Sequence, residues 1–173
     1  MSWDVIILNL PPEIHSPADI RDDVLLDLGS KAEFLARLDG LFLSLAWRNP
    51  KWGSLAEPGF SIEFNIGEDD PVRSLMLHVR GSDGALGVIK HLCESTGWRA
   101  LDFGEGKFID LSTQPAGLGR WRDYRDRVLS ETITVSSSFV VASNPPDLVV
   151  DALDVQKRAK KWWQFWRGDT GHR

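Results

Sequence analysis

The segment over residues 3–10 constrains the fold more than any other part of this chain. It is a nearly unbroken apolar run in which Asp4 is the only charged residue, and Pro11 and Pro12 follow it directly. Strands at the centre of a sheet are apolar on both faces, and proline cannot donate the hydrogen bond that continues a strand. The sequence therefore predicts a central strand that is covered on both sides and stops before the two prolines.

Alternation with a period of two predicts an antiparallel hairpin in the middle of the chain. Apolar and polar residues alternate over residues 60–66, and the same pattern returns over residues 72–80. This period is typical of strands that have one buried face. The segment between them, Gly-Glu-Asp-Asp-Pro at 67–71, has the composition of a turn.

Apolar residues at helical spacing predict two helices, over residues 31–40 and 84–95. Ser30 and Glu33 match a capping box at the start of the first helix. Asp83 stands at a position suited to capping the second helix, and Gly97 is placed where a glycine often ends a helix.

Two short strands are predicted after the second helix, over residues 99–103 and 107–111. The segment 46–58 contains two tryptophans and two prolines, and an ordered loop is predicted there. Residues 11–29, rich in aspartate and proline, are predicted to form a loop with a short turn of helix.

The order strand, helix, strand, strand, helix, strand indicates an α+β protein. It is typical of a ferredoxin-like βαββαβ sandwich, in which a mostly antiparallel sheet carries its helices on one face. This domain is predicted over residues 1–114, with a C-terminal helical extension over 115–156 and a basic, tryptophan-rich tail over 157–173. Within these later parts we expect helices over 119–129 and 147–166, and a strand over 131–142.

Charge is distributed unevenly along the chain. The formal net charge is -5, yet residues 157–173 carry six lysines and arginines against Asp169 alone, so the remainder carries -10. An acidic body argues against nucleic-acid binding, which requires a basic face. Cys93 is the only cysteine, so the chain offers neither an internal disulfide nor a cysteine-based zinc site, and no cofactor is predicted.

Localisation in the cytoplasm is predicted because the N-terminus lacks the pattern of a secretory signal and no segment has the length of a transmembrane helix. The tail adds the alternative of peripheral attachment to the inner membrane. Its aromatic residues could enter a lipid interface beside basic residues that face anionic lipids, or they could anchor a protein partner, or they could fold onto the acidic body. The candidate contact residues are Lys157, Lys160, Lys161, Trp162, Trp163, Phe165, Trp166 and Arg167.

A second candidate site is acidic and lies on the predicted hairpin. Glu63 and His78 are on adjacent strands and could meet as an acid/base pair or as a cross-strand pair that fixes the register. The turn residues Glu68, Asp69 and Asp70 could hold a divalent cation, but they lack the spacing of a calcium loop, and a solvated turn is the preferred interpretation. No metal site is predicted.

Further carboxylates, Asp102, Glu105 and Asp110, flank the last predicted hairpin. Paired carboxylates can serve glycoside hydrolysis, but these are expected on an exposed turn without a cleft. Cys93 falls on the apolar stripe of a helix and is expected to be a small buried side chain.

A family resemblance covers about residues 1–111. It is carried by Met-Ser-Trp-Asp-Val at 1–5, by Gly-Phe-Ser-Ile-Glu at 59–63 with the acidic turn at 68–71, by Leu-His-Val-Arg-Gly at 77–81, by Gly-Trp-Arg-Ala-Leu-Asp at 97–102 and by Phe-Ile-Asp-Leu at 108–111. In these motifs the chain resembles a family of small bacterial cytoplasmic proteins that has no established activity. The resemblance implies no catalytic residues. Some similar small acidic proteins are immunity partners of bacterial toxins.

These observations favour a non-enzymatic protein-interaction module that binds a basic partner, of the immunity type, with a tail that docks on a membrane or a partner. Two alternatives stay open. One is a small hydrolase, dependent on Asp, Glu and His and assisted by a metal, and the other is a regulatory domain that binds a small ligand. Neither the partner nor the oligomeric state follows from the sequence.

Overall fold

A computed structural model describes residues 2–113 and 115–135. Contacts within the chain divide it between Val128 and Leu129. All seven strands and the first two α-helices lie in the first unit, Met1–Val128, and the third α-helix continues beyond it. The predicted helix over 147–166 and the candidate tail over 157–173 lie outside the described residues. The elements are, in chain order, β1 (Trp3–Leu8), a 3-10 turn (Pro17–Asp19), α1 (Lys31–Leu41), β2 (Ala46–Asn49), β3 (Trp52–Glu57), β4 (Phe60–Asn65), β5 (Leu75–Gly81), α2 (Gly84–Thr96), β6 (Arg99–Asp102), β7 (Lys107–Phe108) and α3 (Ala116–Val135).

The described part of the chain is an α+β protein built on a seven-stranded sheet in the order β2-β3-β4-β5-β1-β6-β7. Every strand pairs with its neighbours in antiparallel fashion. The prediction of a central strand is confirmed, because β1 pairs with β5 on one side and β6 on the other, and Val5 and Ile7 are fully buried. The predicted cover on both faces holds for Ile6 and Leu8, but Asp4 at the start of the strand is partly exposed. The predicted hairpin is confirmed by the pairing of β4 with β5.

The seven-strand order differs from the four-strand order of the predicted ferredoxin-like sandwich. The difference lies partly in segment 46–58, where the prediction of a loop was wrong and β2 and β3 form a hairpin instead. The Asn49 side chain accepts hydrogen bonds from the backbone N–H groups of Lys51 and Trp52 and thereby closes the turn between the two strands. The two prolines of the segment therefore mark the ends of strands rather than a long loop.

One face of the sheet is covered by helices. Phe34 and Leu38 of α1, Ile89 and Leu92 of α2, and Leu118 near the start of α3 belong to one buried cluster with the inward side chains of the strands. The ring of Phe34 stacks on Trp98 with 5.6 Å between ring centroids. Burial of this continuous apolar layer is the main stabilising contribution to the fold.

The opposite face, which we call the second face, is covered over only part of its width. Ile6, Leu8 and Leu101 form a smaller cluster with Leu10 and Ile14, from the segment that follows β1. The remaining part of the second face, formed by β3, β4, β5 and the start of β1, carries no such cover in the first unit. We call this part the open half.

The predicted helix ends agree with the structure at α1 and at the end of α2. Ser30 and Glu33 form the capping box, and Gly97 adopts the left-handed conformation with a φ of 75°. Asp83 stands at the N-cap position of α2, but its side chain makes no capping hydrogen bond there. It accepts instead from Arg122 of α3 over 2.6 Å, so the charge that was expected to cap α2 joins two helices.

The helix α3 is longer than predicted at both ends. The expected strand over 131–142 is wrong for residues 131–135, which are helical, and the rest of that segment lies outside the described residues. Among the described helices, none is both long enough and apolar enough to cross a bilayer. The division into domains at 114 and 156 stays a prediction.

Gly81 and Gly87 allow a matched test of the fold. Gly81 has a φ of 104°, and an added Cβ would lie 2.3 Å from the carbonyl oxygen of Gly59, whereas a Cβ at Gly87 would meet nothing within 4 Å. We expect Gly81→Ala to lower the free energy of unfolding by about 2 kcal/mol or more. Gly87→Ala, inside α2, should raise it by about 0.5–1 kcal/mol because alanine favours helix.

Urea denaturation followed by circular dichroism measures both changes. Equal effects of the two substitutions would contradict the backbone geometry described for Gly81.

Candidate functional site

Four polar side chains lie next to one another across the open half. The strand register places Ser54 opposite Glu63, Glu63 opposite His78, and His78 opposite Asp4. Side chains alternate between the faces of a sheet, so these four share one face while their chain neighbours enter the core. We call Ser54, Glu63, His78 and Asp4 the polar row.

His78 is held in one orientation by partners on two sides. Its Nδ1 lies 2.9 Å from Oδ1 of Asp4, and its ring stacks on the indole of Trp52 with 5.7 Å between centroids and an angle of 12°. An ionised carboxylate can only accept, so Nδ1 carries the proton of this hydrogen bond. In the neutral ring Nε2 is then an acceptor.

Asp4 is ionised in this setting although it lies in a central strand. Its partial burial opposes the charge, but hydrogen bonds from His78 and from the Ser2 hydroxyl, at 2.7 Å, outweigh burial, and the net effect is a lowered pKa of Asp4. The positive charge of Arg80 acts in the same direction. The row therefore contains a carboxylate that stays charged down to acidic pH.

Glu63 and His78 meet in the sheet ladder, but their side chains have other partners. The guanidinium of Arg80 lies 3.2 Å from the carboxylate of Glu63, while His78 turns to Asp4. The direct Glu63–His78 side-chain pair that the sequence suggested is therefore absent, and the neighbouring pairs Glu63–Arg80 and His78–Asp4 are found instead.

The acidic turn makes contacts elsewhere. Asp70 accepts from the backbone N–H of Lys31 over 3.0 Å, and the Lys31 ammonium donates to the carbonyl of Glu68 over 3.0 Å. The Glu68 carboxylate pairs with Lys51. Within residues 2–113 and 115–135, no cluster of His, Cys, Asp or Glu has the arrangement of a metal site.

Asp102 was expected on an exposed turn, and this expectation was wrong. It is 4% exposed and accepts from Nε1 of Trp3 over 2.8 Å and from the backbone N–H of Glu105 over 2.9 Å. Burial outweighs these hydrogen bonds and raises its pKa. Because Asp102 pairs with Val5 in the ladder, it lies on the helix-covered face, away from His78.

Asp110 and Cys93 have local structural roles. The Asp110 carboxylate accepts from the backbone N–H and the hydroxyl of Ser112 in the turn after β7. Burial raises the pKa of Cys93 to about 12, which keeps the thiol protonated and unreactive. The structure therefore brings neither Asp102, Asp110 nor Cys93 to the polar row.

Sequence reasoning missed Asp4 and Trp52 as members of this site. The signal for Asp4 was present, since a single charge inside an apolar central strand requires a partner. The signal for Trp52 was hidden because its segment was assigned to a loop, where the face on which a side chain lies cannot be read from alternation.

The site holds an oriented imidazole, two carboxylates and an aromatic ring on an open sheet. It can offer hydrogen-bond acceptors and a flat aromatic surface to a molecule that lies across the strands. No family model matches this chain, and neither the curated proteins nor the solved structures include one with significant similarity to it. The candidate tail residues lie outside the described residues, so their roles stay predictions.

The ionised state of Asp4 predicts a pH-dependent stability. Its pKa is lowered by folding, so its stabilising contribution is present above the ordinary aspartate pKa of about 3.9 and is lost as pH falls through the lower folded value. Asp4→Asn should therefore destabilise the protein by about 1 kcal/mol at neutral pH. The difference from the parent protein should shrink below about pH 4.

Urea denaturation across a pH series measures this difference. The control is Asp69→Asn, which removes the same charge from the exposed turn and should leave the free energy of unfolding nearly unchanged. A loss at Asp4 that stays constant with pH, or an equal loss at Asp69, would argue against the hydrogen-bonded carboxylate.

Proposed function

We propose that this protein is a non-enzymatic protein-interaction module that binds a basic partner through the open half of its sheet. The observation that carries the proposal is the fixed, accessible arrangement of the polar row and Trp52. The side chain of His78 is 22% exposed and Trp52 is 37% exposed, and both are oriented by contacts within the row. Tryptophan and ordered polar groups at an accessible surface are typical of the central residues of protein interfaces.

The charge of the chain supports a basic partner. Outside residues 157–173 the chain carries -10, and this field would speed the encounter with a positively charged surface. Some small acidic proteins similar to the family that the chain resembles serve as immunity partners of toxins, and we propose a role of this type. The basic, tryptophan-rich segment 157–167 adds, by its composition, a second proposed anchor for the partner or for an anionic membrane.

The hydrolase alternative receives less support. It needs Glu63, His78, Asp102 and Asp110 in one place, but Asp102 is buried on the helix-covered face and Asp110 closes a turn. The geometry of the open half favours recognition over catalysis by this set of residues.

We further infer that the inner strands form a ferredoxin-like unit to which the hairpin of β2 and β3 has been added. In support, β5 lies between β1 and β4 and is antiparallel to both, which is the split βαβ arrangement. The added hairpin contributes Trp52 and Ser54 to the open half, so the proposed interface would combine the inner unit with its addition.

A pulldown from the native host tests the proposed function. We expect the full chain to retain a specific basic protein, less strongly as salt concentration rises. Trp52→Ala should weaken this retention by about tenfold or more, as expected for the loss of a central aromatic residue. Leu43→Ala is the control, because Leu43 is 97% exposed and lies outside the open half.

Retention of the same protein by the parent chain and by Leu43→Ala, with loss in Trp52→Ala, would support the proposal. Equal retention by all three, or no specific protein with any of them, would overturn it.

A further inference from the structure

The polar row places negative charge on both sides of His78. Asp4 on β1 and Glu63 on β4 are the cross-strand neighbours of His78, and neighbouring strands are about 4.8 Å apart. Both carboxylates are partly accessible, with 34% and 36% of their side chains exposed. An incoming cation therefore meets acceptors across the width of three strands.

The imidazole between them adds an acceptor rather than a positive charge when the ring is neutral. Since Nδ1 donates to Asp4, the lone pair is on Nε2. A neutral His78 thus presents a directed acceptor to a ligand that carries N–H donors.

Trp52 supplies an aromatic surface at the same place. Its ring is nearly parallel to that of His78, and the residue remains 37% exposed. The faces of an indole attract cations, and the planar guanidinium of arginine can stack on such a face while donating several hydrogen bonds in its own plane. The ammonium group of lysine is not planar, so it cannot stack on the indole and donate hydrogen bonds in the plane of the stack at the same time.

The charged groups around His78 can be followed strand by strand. Asp4 contributes from β1, Glu63 from β4 and Arg80 from β5, while Trp52 on β3 is neutral. Arg80 is paired with Glu63 and also acts on Asp4, so with a neutral His78 the two carboxylates together face a single positive charge. Protonation of His78 would add a second positive charge and convert Nε2 into a donor.

We propose that the polar row and Trp52 form a socket for an arginine side chain of the partner, and that protonation of His78 closes this socket. The inference rests on the proposed function and names the chemistry of the partner at one point of its surface. Binding is then strong where the imidazole is neutral, and it weakens where the imidazole is protonated, because the protonated ring offers a second donor instead of an acceptor.

The experiment titrates the full chain with N-acetyl-arginine-N-methylamide and follows proton–nitrogen correlation spectra. The matched probe is N-acetyl-citrulline-N-methylamide, which has nearly the same shape but no charge. At about pH 7.5 we expect the arginine probe to shift the indole signal of Trp52 and the backbone signals of β4 and β5, and the citrulline probe to leave them in place. At about pH 5.5 the affinity for the arginine probe should fall by about threefold or more.

Variants separate the socket from general attraction to an acidic chain. Trp52→Leu should weaken binding of the arginine probe by about threefold. His78→Gln keeps a polar side chain but cannot titrate, and it should remove most of the pH dependence. Leu43→Ala should behave as the parent chain does. Equal shifts with both probes, or an unchanged pH dependence in His78→Gln, would overturn the socket.

The two proposals can fail separately. If the pulldown partner is lost in Trp52→Ala but the arginine probe does not bind the row, the interaction function stands and the socket is wrong. If the probe binds as described and no partner is captured, the socket stands and the proposed function is wrong.

Discussion

The register of β1 between its two neighbours is the constraint on which the rest of the structure depends. Trp3, Val5 and Ile7 face the helices, while Asp4 and Ile6 face the other way. A shift of one residue would exchange the two sets and bring a carboxylate into the apolar layer. The single charge in this strand therefore favours the same register as the apolar residues do, because this register keeps Asp4 out of the apolar layer and beside His78.

The position along β1 decides what happens to the residues on the second face. Ile6 lies under the segment that follows the strand and belongs to a buried cluster, whereas Asp4 lies in the open half beside Ser2 and His78. A short stretch of one strand thus passes from an apolar environment to a polar one. The same antiparallel pairing that completes the core also assembles the polar row.

Two carboxylates show how strongly the face determines the chemistry. Asp102 is enclosed near the start of α3, where a Cβ on Gly117 would lie 1.7 Å from its Oδ2, and burial raises its pKa. Asp4 is on the opposite face, and hydrogen bonds lower its pKa. Asp102 acts as a fixed packing element that only a glycine can approach so closely, while Asp4 orients a side chain that solvent and partners can reach.

Several features could be predicted from the sequence because each depends on local periodicity or on adjacent segments. They are the central strand, the hairpin of β4 and β5 with Glu63 opposite His78, and the helices α1 and α2 with the capping box of the first and the glycine that ends the second. The sequence did not allow β2 and β3 to be recognised, since Pro50 and Pro58 suggested a loop, whereas the two prolines lie in the turns between β2, β3 and β4, which pair with one another in chain order. The burial of Asp102 depends on α3, which follows only after β7, and no local sequence pattern predicts this contact. The partner of His78 lies 74 positions away, and no local pattern predicts such a pair.

The proposed binding function accounts for the composition of the open half, to which stability contributes little. Ion pairs at an accessible surface contribute little to folding, and an exposed tryptophan contributes less than a buried one. An apolar open half would instead present a continuous sheet face of the kind that associates non-specifically. The charged groups of Asp4, Glu63 and the neighbouring Arg80 disfavour such non-specific association of the open half, while Trp52 is stacked on His78. Because His78 and Trp52 are already held by contacts within the row, a proposed partner would order few further side chains on binding, and little conformational entropy would be lost.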